Sequence, residues 1–478
     1  MPISGDAMAG APDRLRLLLL LPARRRWAWH DRLAGALARR HDVSTAVVAS
    51  PGYPYLVRAV SDLAPAPAES VPAGDFDVAI DLSEQGVAGA ARVLRPLYDG
   101  SVDSLALVGR LQRGECPLLD VEDAETTAIV ASSYASIGDS GTLEGRLALV
   151  FARIEALLLR AVAGEGMPLT DRPARAPVAF STTRLLKAKA RRFAAGLLAP
   201  VRRASGARRH WNIALRRNDL APDVRHFDLT AYQALPADPG TFYADPFVVE
   251  REGRTALFAE AFPYAAGKGV IVCAVVGEDA AHCAFRVVLE RPWHLSYPFV
   301  FEWKDEMYLA PEGSSHGGVE IYRATAFPWE WTFERQLLPE WSLVDATLFE
   351  HEGRLWLLAG AATGGGSDWD ELFAWHAPGL AGPWTPHARN PIKSDCRSAR
   401  PGGRPLRLGA RLLRPAQRCE RAYGEALAWL EIRTLTPDTF EEVEVALWRA
   451  GGPGLSGPHG ADLGSRLAAV DYRMLLGR

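Results

Sequence analysis

Five polar residues that could do chemistry stand at the start of repeated apolar stretches: Asp245, Tyr297, Asp345, Arg400 and His459. Polar or ionisable residues that head otherwise apolar segments indicate a functional centre if the fold brings them together. Two carboxyl groups can divide acid and base roles, so Asp245 and Asp345 are candidate catalytic residues. The alternative is structural: the aspartates cap turns, and Arg400 pairs with a carboxylate.

The segments behind these residues repeat at intervals of about 50 residues. They read "DPFVVEREGRTALFAE" (245–260), "YPFVFEWKDEMYLAPE" (297–312) and "DATLFEHEGRLWLLAG" (345–360), with weaker copies at 400–417 and 459–473. Each has two apolar runs around a polar turn, which predicts a β-hairpin and explains Gly253 and Gly353 as turn residues. A period near 50 with about four short strands per unit is typical of a propeller blade. We therefore predict an all-β five-bladed propeller over 211–478.

The preceding part of the chain has a different pattern. Over 14–165, strand-like apolar runs at 15–21, 42–50 and 75–83 alternate with helical periodicity at 27–40 and 143–164, and further short apolar runs occur at 104–109 and 127–133. This alternation predicts an α/β domain with a mainly parallel sheet. The segment contains no GxGxxG and no P-loop motif, so no local phosphate-binding signature is present.

A basic segment joins the two predicted domains, over 166–210. Its part from 184 to 209 carries nine Lys or Arg residues and no acidic residue, with Leu186, Ala190, Phe193 and Leu197 at helical spacing. Two interpretations stay open: a solvated linker helix that docks between domains, which we favour, and an amphipathic helix resting on an anionic membrane surface.

The composition limits the binding partners and the cellular compartment that we expect. The 54 Lys and Arg residues nearly balance the 57 Asp and Glu residues, giving a formal charge of −3 and no reason to expect a nucleic-acid partner. The five cysteines form neither a CxxC motif nor a Cys/His cluster, so no disulfide framework and no metal site is expected, nor any other cofactor. The apolar run at 17–21 is too short for a signal peptide or a membrane span, which predicts a cytoplasmic protein.

Several motifs carry a resemblance to a known family. They are "YADPFVVE" (243–250), "LSYPFVFEWKDEMYLAPE" (295–312), "VDATLFEHEGRLWLL" (344–358), "NPIKSDCRSARPGG" (390–403) and "RPAQRCERAYGEAL" (414–427). Together they resemble the five-bladed propeller at the N-terminus of plant glucosamine inositolphosphorylceramide transferases, a domain similar to the arabinanase-type propellers of family-43 glycoside hydrolases. In bacterial relatives a formyltransferase-like domain often precedes the propeller. Residues 14–165 could be a degenerate version in a bacterial protein, although they lack the Asn-x-His motif of formyl transfer.

The resemblance implies roles for particular residues. Asp245 matches the catalytic base of family-43 hydrolases, and Asp345 matches the aspartate that tunes the acid and orients substrate. Arg400 stands where the family's catalytic Glu is expected, so Glu312 and Glu260 are substitute candidates for the acid, or water-exposed carboxylates at hairpin ends. Other candidates follow from residue chemistry. As polar head residues, Tyr297 and His459 are expected to contact the substrate. Because Arg binds phosphate or carboxylate in a bidentate way, the cluster of Arg400, Arg414, Gln417, Arg421 and Lys393 would bind a phosphorylated or acidic sugar, or instead form ion pairs between blades.

Two functions follow as expectations. One is an enzyme that acts on a glycosidic bond in glycan or glycolipid biosynthesis, through the axial pocket of the propeller. The other is a non-catalytic glycan-binding or scaffold module that serves a partner glycosyltransferase. The polar residues at the blade heads favour the first, and Arg400 at the expected acid position favours the second.

Overall fold

The computed structural model describes residues 14–50, 67–72, 74–85, 90–204, 208–218, 223–277 and 283–476. Two compact units are present. In the described chain the first runs to Arg113 and includes Pro117–Ser133 and Val150–Thr182. The second comprises Gly114–Cys116, Tyr134–Leu149 and the chain from Thr183 onward. The predicted domain boundaries at 165 and 210 stay predictions.

The N-terminal region contains a six-stranded sheet in the order β2-β1-β3-β4-β5-β6. Its strands are β1 (Arg16–Pro22), β2 (Asp42–Val48), β3 (Val78–Asp81), β4 (Val93–Tyr98), β5 (Leu118–Asp123) and β6 (Ala128–Tyr134). The pairs β1–β2, β1–β3 and β3–β4 are parallel, whereas β4–β5 is antiparallel. The leucine run of β1 is buried throughout because this strand is interior to the sheet.

Three helices accompany this sheet: α1 (Ala28–Ala38), α2 (Ser104–Leu111) and α3 (Leu143–Val162). The predicted α/β class is confirmed. The apolar run at 104–109 forms α2, capped by Asp103, whose side chain accepts a hydrogen bond from the Leu105 amide. Strands β4 and β5 were not predicted from the sequence. A fourth helix, α4 (Thr182–Ala204), covers most of the basic segment. None of the described helices is long and apolar enough to cross a membrane.

Five sheets in succession form the blades of a propeller, which confirms the predicted fold class. Blade one is β9 (Thr241–Arg251), β10 (Arg254–Pro263), β11 (Val270–Val275) and β12 (Arg286–Leu289). Blade two is β13 (Ser296–Trp303), β14 (Glu306–Glu312), β15 (Val319–Ala326) and β16 (Glu330–Leu337). Blade three is β17 (Leu343–His351), β18 (Arg354–Ala361), β19 (Glu371–Ala377) and β20 (Thr385–Pro386), with β21 (Lys393–Ser394) beside β19. Blade four is β22 (Leu406–Leu408), β23 (Arg411–Arg418), β24 (Ala426–Leu435) and β25 (Phe440–Trp448).

Blade five closes the ring with strands that come before and after the other four blades in the sequence. It contains β26 (Ala461–Leu463) and β27 (Leu467–Leu476), followed by β7 (Arg208–Arg217) and β8 (Gln233–Ala234). Strand β7 pairs antiparallel with β27 from Arg208 opposite Leu476 to Arg217 opposite Leu467. Short 3-10 turns lie at Leu229–Ala231 and Ser314–His316.

The first three blades repeat two backbone features. Their hairpin turns place both central residues at positive φ, as in Glu252 at 51° and Gly253 at 74°, the geometry of a tight two-residue turn. Their first strands carry a register shift at the head residue, and Asp245, Tyr297 and Asp345 adopt φ of 50°, 42° and 53°. Left-handed backbone is unusual for residues other than glycine, so three blades share the same bulge at their heads.

Candidate active site at the propeller axis

The head residues form two groups in direct contact, Asp245 with Tyr297 and His459, and Asp345 with Arg400. The Tyr297 amide donates to Asp245 Oδ2 at 3.2 Å, and His459 Nε2 lies 3.4 Å from Asp245 Oδ1. Arg400 Nε donates to Asp345 Oδ2 at 2.6 Å. The Gly403 amide donates to the Tyr297 hydroxyl at 3.0 Å, which joins blades two and four. The fold thus gathers the five residues that the sequence placed about 50 positions apart.

Asp245 lies buried between blades five and two. Its amide donates to Asp471 Oδ2 at 3.0 Å, and its side chain is almost inaccessible to water. Burial raises the pKa of Asp245 to about 6, with the Asp345 and Asp471 carboxylates adding to the rise and His459 opposing it. At neutral pH this group is mostly ionised, yet it can take up a proton readily.

His459 stands between two carboxylates. Its Nδ1 lies 2.7 Å from Asp471 Oδ2, and its ring stacks on Trp211 with ring centroids 4.0 Å apart. Burial disfavours the charged ring, but the carboxylates of Asp471 and Asp245 outweigh burial and raise the pKa of His459. The three side chains form a chain, Asp471–His459–Asp245, in which His459 stabilises negative charge on Asp245.

The same three residues have the spacing of a cation site. Among the described residues, one ligand atom from each of Asp245, His459 and Asp471 lies within 4.8 Å of the other two. Carboxylate oxygen with imidazole nitrogen is a donor set that divalent metals accept. Both ring nitrogens of His459 already face a carboxylate, Nδ1 at 2.7 Å from Asp471 and Nε2 at 3.4 Å from Asp245, so ion pairing within the triad also accounts for this spacing. The expectation of no metal stays a prediction.

Arg400 binds three carboxylates at once. Besides Asp345, its guanidinium donates to Asp368 Oδ2 at 2.9 Å and to Glu312 Oε2 at 3.4 Å. The Asp345 amide also donates to Glu312 Oε2 at 3.3 Å. Burial raises the pKa of Asp345, and Arg400 opposes that rise. Glu312 therefore acts here as a hydrogen-bond acceptor that holds blades two, three and four together.

Among the described carboxyl groups of this site, Glu260 has the least compensation of its charge by positively charged neighbours. It lies on β10 opposite Ala244 of β9, next to the head of blade one, and is buried. Burial raises the pKa of Glu260 well above its usual range, and the carboxylates of Asp245 and Glu312 add to the rise. Its nearest basic group is His294, whose Nε2 lies 3.6 Å from Glu260 Oε1. Burial and the neighbouring carboxylates therefore favour the protonated form of Glu260, which is the form that a general acid needs.

The other predicted substrate-binding residues divide into two groups. Gln417 joins the site, because its Nε2 donates to Asp345 Oδ2 at 2.8 Å and to the Pro401 carbonyl at 2.9 Å. The Tyr297 ring is buried, and its hydroxyl lies 2.8 Å from Thr347 Oγ1. Arg414 is occupied elsewhere: it donates to both carboxylate oxygens of Glu442 and to the Ser398 carbonyl.

Two members of the site were missed by sequence reasoning. Asp471 was not singled out, although it is an acidic residue inside the apolar strand "LAAVDYR" (467–473), which is a detectable signal. Asp368 lies in the glycine-rich stretch at 364–371, outside the repeated segments. Its contact with Arg400 depends on a pairing across 32 positions that no local pattern indicates.

Comparison with known proteins agrees with the motifs. Residues 229–452 match the family model described as glucosamine inositolphosphorylceramide transferase 1, N-terminal, and the propeller resembles that domain. The transferase of that name from Oryza sativa subsp. japonica is 37% identical over 213 residues, which cover 44% of this chain and 28% of the rice protein. The Arabidopsis thaliana protein is 36% identical over 211 residues, covering 43% of this chain and 28% of its own length. These are plant proteins, against the bacterial source suggested by the sequence.

Solved structures of similar fold are more distant. Zg3597, a family 117 glycoside hydrolase from Zobellia galactanivorans, has a TM-score of 0.36 and 14% identity, covering 55% of this chain and 90% of its own. An exo-β-1,3-galactanase from Phanerochaete chrysosporium has a TM-score of 0.35 and 14% identity, covering 46% of this chain and 55% of its own. The formyltransferase-like character of 14–165 stays a prediction.

Proposed function

We propose that the propeller acts on a glycosidic bond of a glycan or glycolipid, with Asp245 as base and Glu260 as acid. The observation that carries this proposal is the unequal environment of two buried carboxyl groups on the same blade. Asp245 contacts His459, which favours its ionised form, whereas Glu260 has no cation within ion-pair distance in the described chain apart from the imidazole of His294. Environments that push two pKa values apart divide acid from base roles.

The chemistry follows from this division. Glycosidic cleavage needs one carboxylic acid to protonate the leaving oxygen and one carboxylate to activate water or an acceptor hydroxyl, or to attack the sugar. Glu260 would give its proton to the leaving oxygen, and Asp245 would act on the other side of the bond. Asp345, held by Arg400 and Gln417, would orient the sugar. This assignment replaces Glu312 with Glu260 as the proposed acid, because Glu312 accepts hydrogen bonds from Arg400 and the Asp345 amide.

The names of the plant relatives support a glycolipid as the substrate class. They are described as inositolphosphorylceramide transferases, and the chain matches 28% of their length, so their activity is a proposal for this protein. The name of these relatives includes a sugar, glucosamine, and a phosphorylated headgroup, inositolphosphorylceramide. An anionic saccharide headgroup is therefore the ligand that we propose for the axial site.

The proposal is tested with a panel of glycans and glycolipid headgroups. Wild type should turn over at least one member, and Asp245→Asn and Glu260→Gln should each lose turnover while still binding it. Glu252→Gln, on the exposed hairpin of the same blade, is the matched control and should behave as wild type. Wild-type binding without turnover of any member would refute the enzymatic role.

A glycan-binding module is the second candidate, and Arg400 favours it. The Arg400 guanidinium forms ion pairs with Asp345, Glu312 and Asp368 together, so fewer carboxyl groups are left for catalysis. In that case Asp245→Asn and Glu260→Gln would change affinity only. The same panel separates the two functions, because affinity and turnover are measured on the same ligand.

We also propose that α4 rests on an anionic membrane surface. Within its described part Leu186 is 56% exposed and Phe193 is 73% exposed, seven positions apart on one helical face. Arg184, Lys187 and Lys189 are exposed as well. Basic side chains beside exposed apolar ones suit anionic lipid headgroups. The cytoplasmic location stays a prediction.

Sedimentation with lipid vesicles tests this surface. We expect binding to vesicles that contain phosphatidylserine and none to pure phosphatidylcholine, with Phe193→Ser and Lys187→Glu each weakening binding. Arg254→Glu, an exposed basic position on the first hairpin, should leave it unchanged. Equal binding by wild type and both helix variants would refute a role for α4.

A further inference from the structure

We propose that His294 is a positioning residue that fixes which oxygen of Glu260 carries the proton. The inference rests on the proposed acid role of Glu260, and it adds a residue that neither the motifs nor the comparisons indicate. Its basis is a three-residue arrangement of Glu260, Gly269 and His294 on blade one and the loop that follows it.

The tautomer of His294 is set by the backbone. The Gly269 amide donates to His294 Nδ1 at 2.8 Å, so Nδ1 is the acceptor nitrogen of the ring. In a neutral imidazole the proton then sits on Nε2. The Gly269 carbonyl in turn accepts from the Leu295 amide at 3.1 Å, which holds the adjacent backbone in place. Burial lowers the pKa of His294, in keeping with a neutral ring.

The protonated nitrogen faces the acid. His294 Nε2 lies 3.6 Å from Glu260 Oε1, just beyond hydrogen-bond length, and such contacts often tighten when ligand binds. A donor at Oε1 leaves Oε2 as the oxygen that holds the acidic proton. Once that proton has been given to a leaving group, the same N–H stabilises the carboxylate. His294 keeps its own protons throughout.

Gly269 provides the room for this contact. A Cβ atom at this position would lie 2.7 Å from Glu260 Oε1 and 2.8 Å from His294 Cε1. It would also lie 2.4 Å from the Leu295 carbonyl oxygen, which is backbone and cannot rotate away. Only glycine therefore allows the acid and the imidazole to meet here.

The charges around Glu260 explain why a fixed donor matters. The groups that act on it are the carboxylates of Asp245, Glu312, Asp471 and Asp345, which all disfavour its ionisation. The His294 side chain is 44% exposed, and that of Glu260 is 7% exposed. His294 therefore lies on the solvent side of the acid, and its N–H is the one neutral donor aimed at Glu260 among the described contacts.

The test measures the proton on Glu260 without any sugar. The carbonyl stretch of a protonated carboxyl group is followed by infrared difference spectroscopy against pH, and Glu260→Gln identifies the band. We expect His294→Leu to raise the midpoint by about one to two pH units, since a hydrogen bond to the charged form is lost. His294→Gln, whose amide can accept from Gly269 and donate to Glu260, should restore the wild-type midpoint.

His316→Leu is the matched control. The His316 side chain is 45% exposed and stacks on Trp293, so the variant should keep the wild-type band. An unchanged midpoint in His294→Leu, or no rescue by His294→Gln, would overturn the inference, as would the lack of any band assigned to Glu260. Since no substrate is used, a normal band with no turnover of any glycan would count against the proposed function alone.

Discussion

At the scale of single residues, Arg400 decides what the site can do. It is buried and donates to Asp345 and Asp368 at hydrogen-bond distances of 2.6 and 2.9 Å, with Glu312 at 3.4 Å. The positive charge of Arg400 offsets the negative charge of these carboxylates, which could not all be ionised in a buried site without it. It cannot act as an acid in its own right, because a guanidinium stays protonated. In the function that we propose, the proton therefore comes from a different residue, Glu260.

The first prediction concerns this cation. We expect Arg400→Met to lower the free energy of unfolding by about 3–5 kcal/mol, because buried carboxylates lose their partner. Adding Asp345→Asn to Arg400→Met should recover part of the loss, since one of the orphaned charges is removed. Urea denaturation measures both. Arg421→Met, at an exposed position nearby in sequence, is the control, and a loss as small as in that control would contradict the role given to Arg400.

At the scale of elements, β7 is the strand on which ring closure depends. It pairs with β27 on one side and with β8 on the other, so blade five is complete only when distant parts of the chain meet. Ile213, Ala214 and Leu215 in its middle are buried and pack into two neighbouring apolar clusters. Asp471 of β27 lies opposite Ile213, so this closure also positions the carboxylate that supports His459.

The second prediction follows from that pairing. Ile213→Ala should lower the free energy of unfolding by about 2–5 kcal/mol, because it leaves a cavity in a packed strand. The exposed Arg209 on the same strand offers the control: Arg209→Ala should change stability by less than about 0.5 kcal/mol. Thermal and urea unfolding of the two variants give the comparison. Equal effects would mean that β7 does not contribute packing to blade five.

At the scale of the whole propeller, the axis carries more carboxyl groups than cations. Asp245, Glu260 and Asp345 are buried there with raised pKa values, and the pKa of His459 is raised too. Each of these groups binds its proton more tightly in the folded than in the unfolded chain. By linkage, folding takes up protons, and stability should rise as the pH falls.

The third prediction gives the window for this effect. The pKa of Asp245 rises from an ordinary 3.8 to about 6, so its contribution is present at low pH and lost as the pH rises from about 4 to 6. The raised pKa of Glu260 adds to this loss in the same direction. We therefore expect the urea midpoint to fall as the pH rises from about 4 to 6. Glu260→Gln should flatten this slope, whereas the exposed control Glu252→Gln should keep it, and a wild-type midpoint independent of pH would contradict the prediction.

Local patterns in the sequence determined the hairpins, the fivefold repeat and the five head residues. This was possible because alternation, turn residues and spacing are properties of neighbouring positions. The two-residue turns at Glu252 and Glu352 and the buried first strands agree with those patterns.

Only the tertiary structure decided which head residues work together. Asp471 reaches Asp245 across 226 positions, and Arg400 reaches Glu312 across 88. The tautomer of His294 depends on an amide 25 positions away. Such contacts depend on how the blades pack and on closure by β7, which no local pattern encodes. The sequence by itself therefore determined which head residues gather at the axis. The fold brought Asp471 and Asp368 to them and decided partners and protonation, since pKa values follow burial and neighbouring charge.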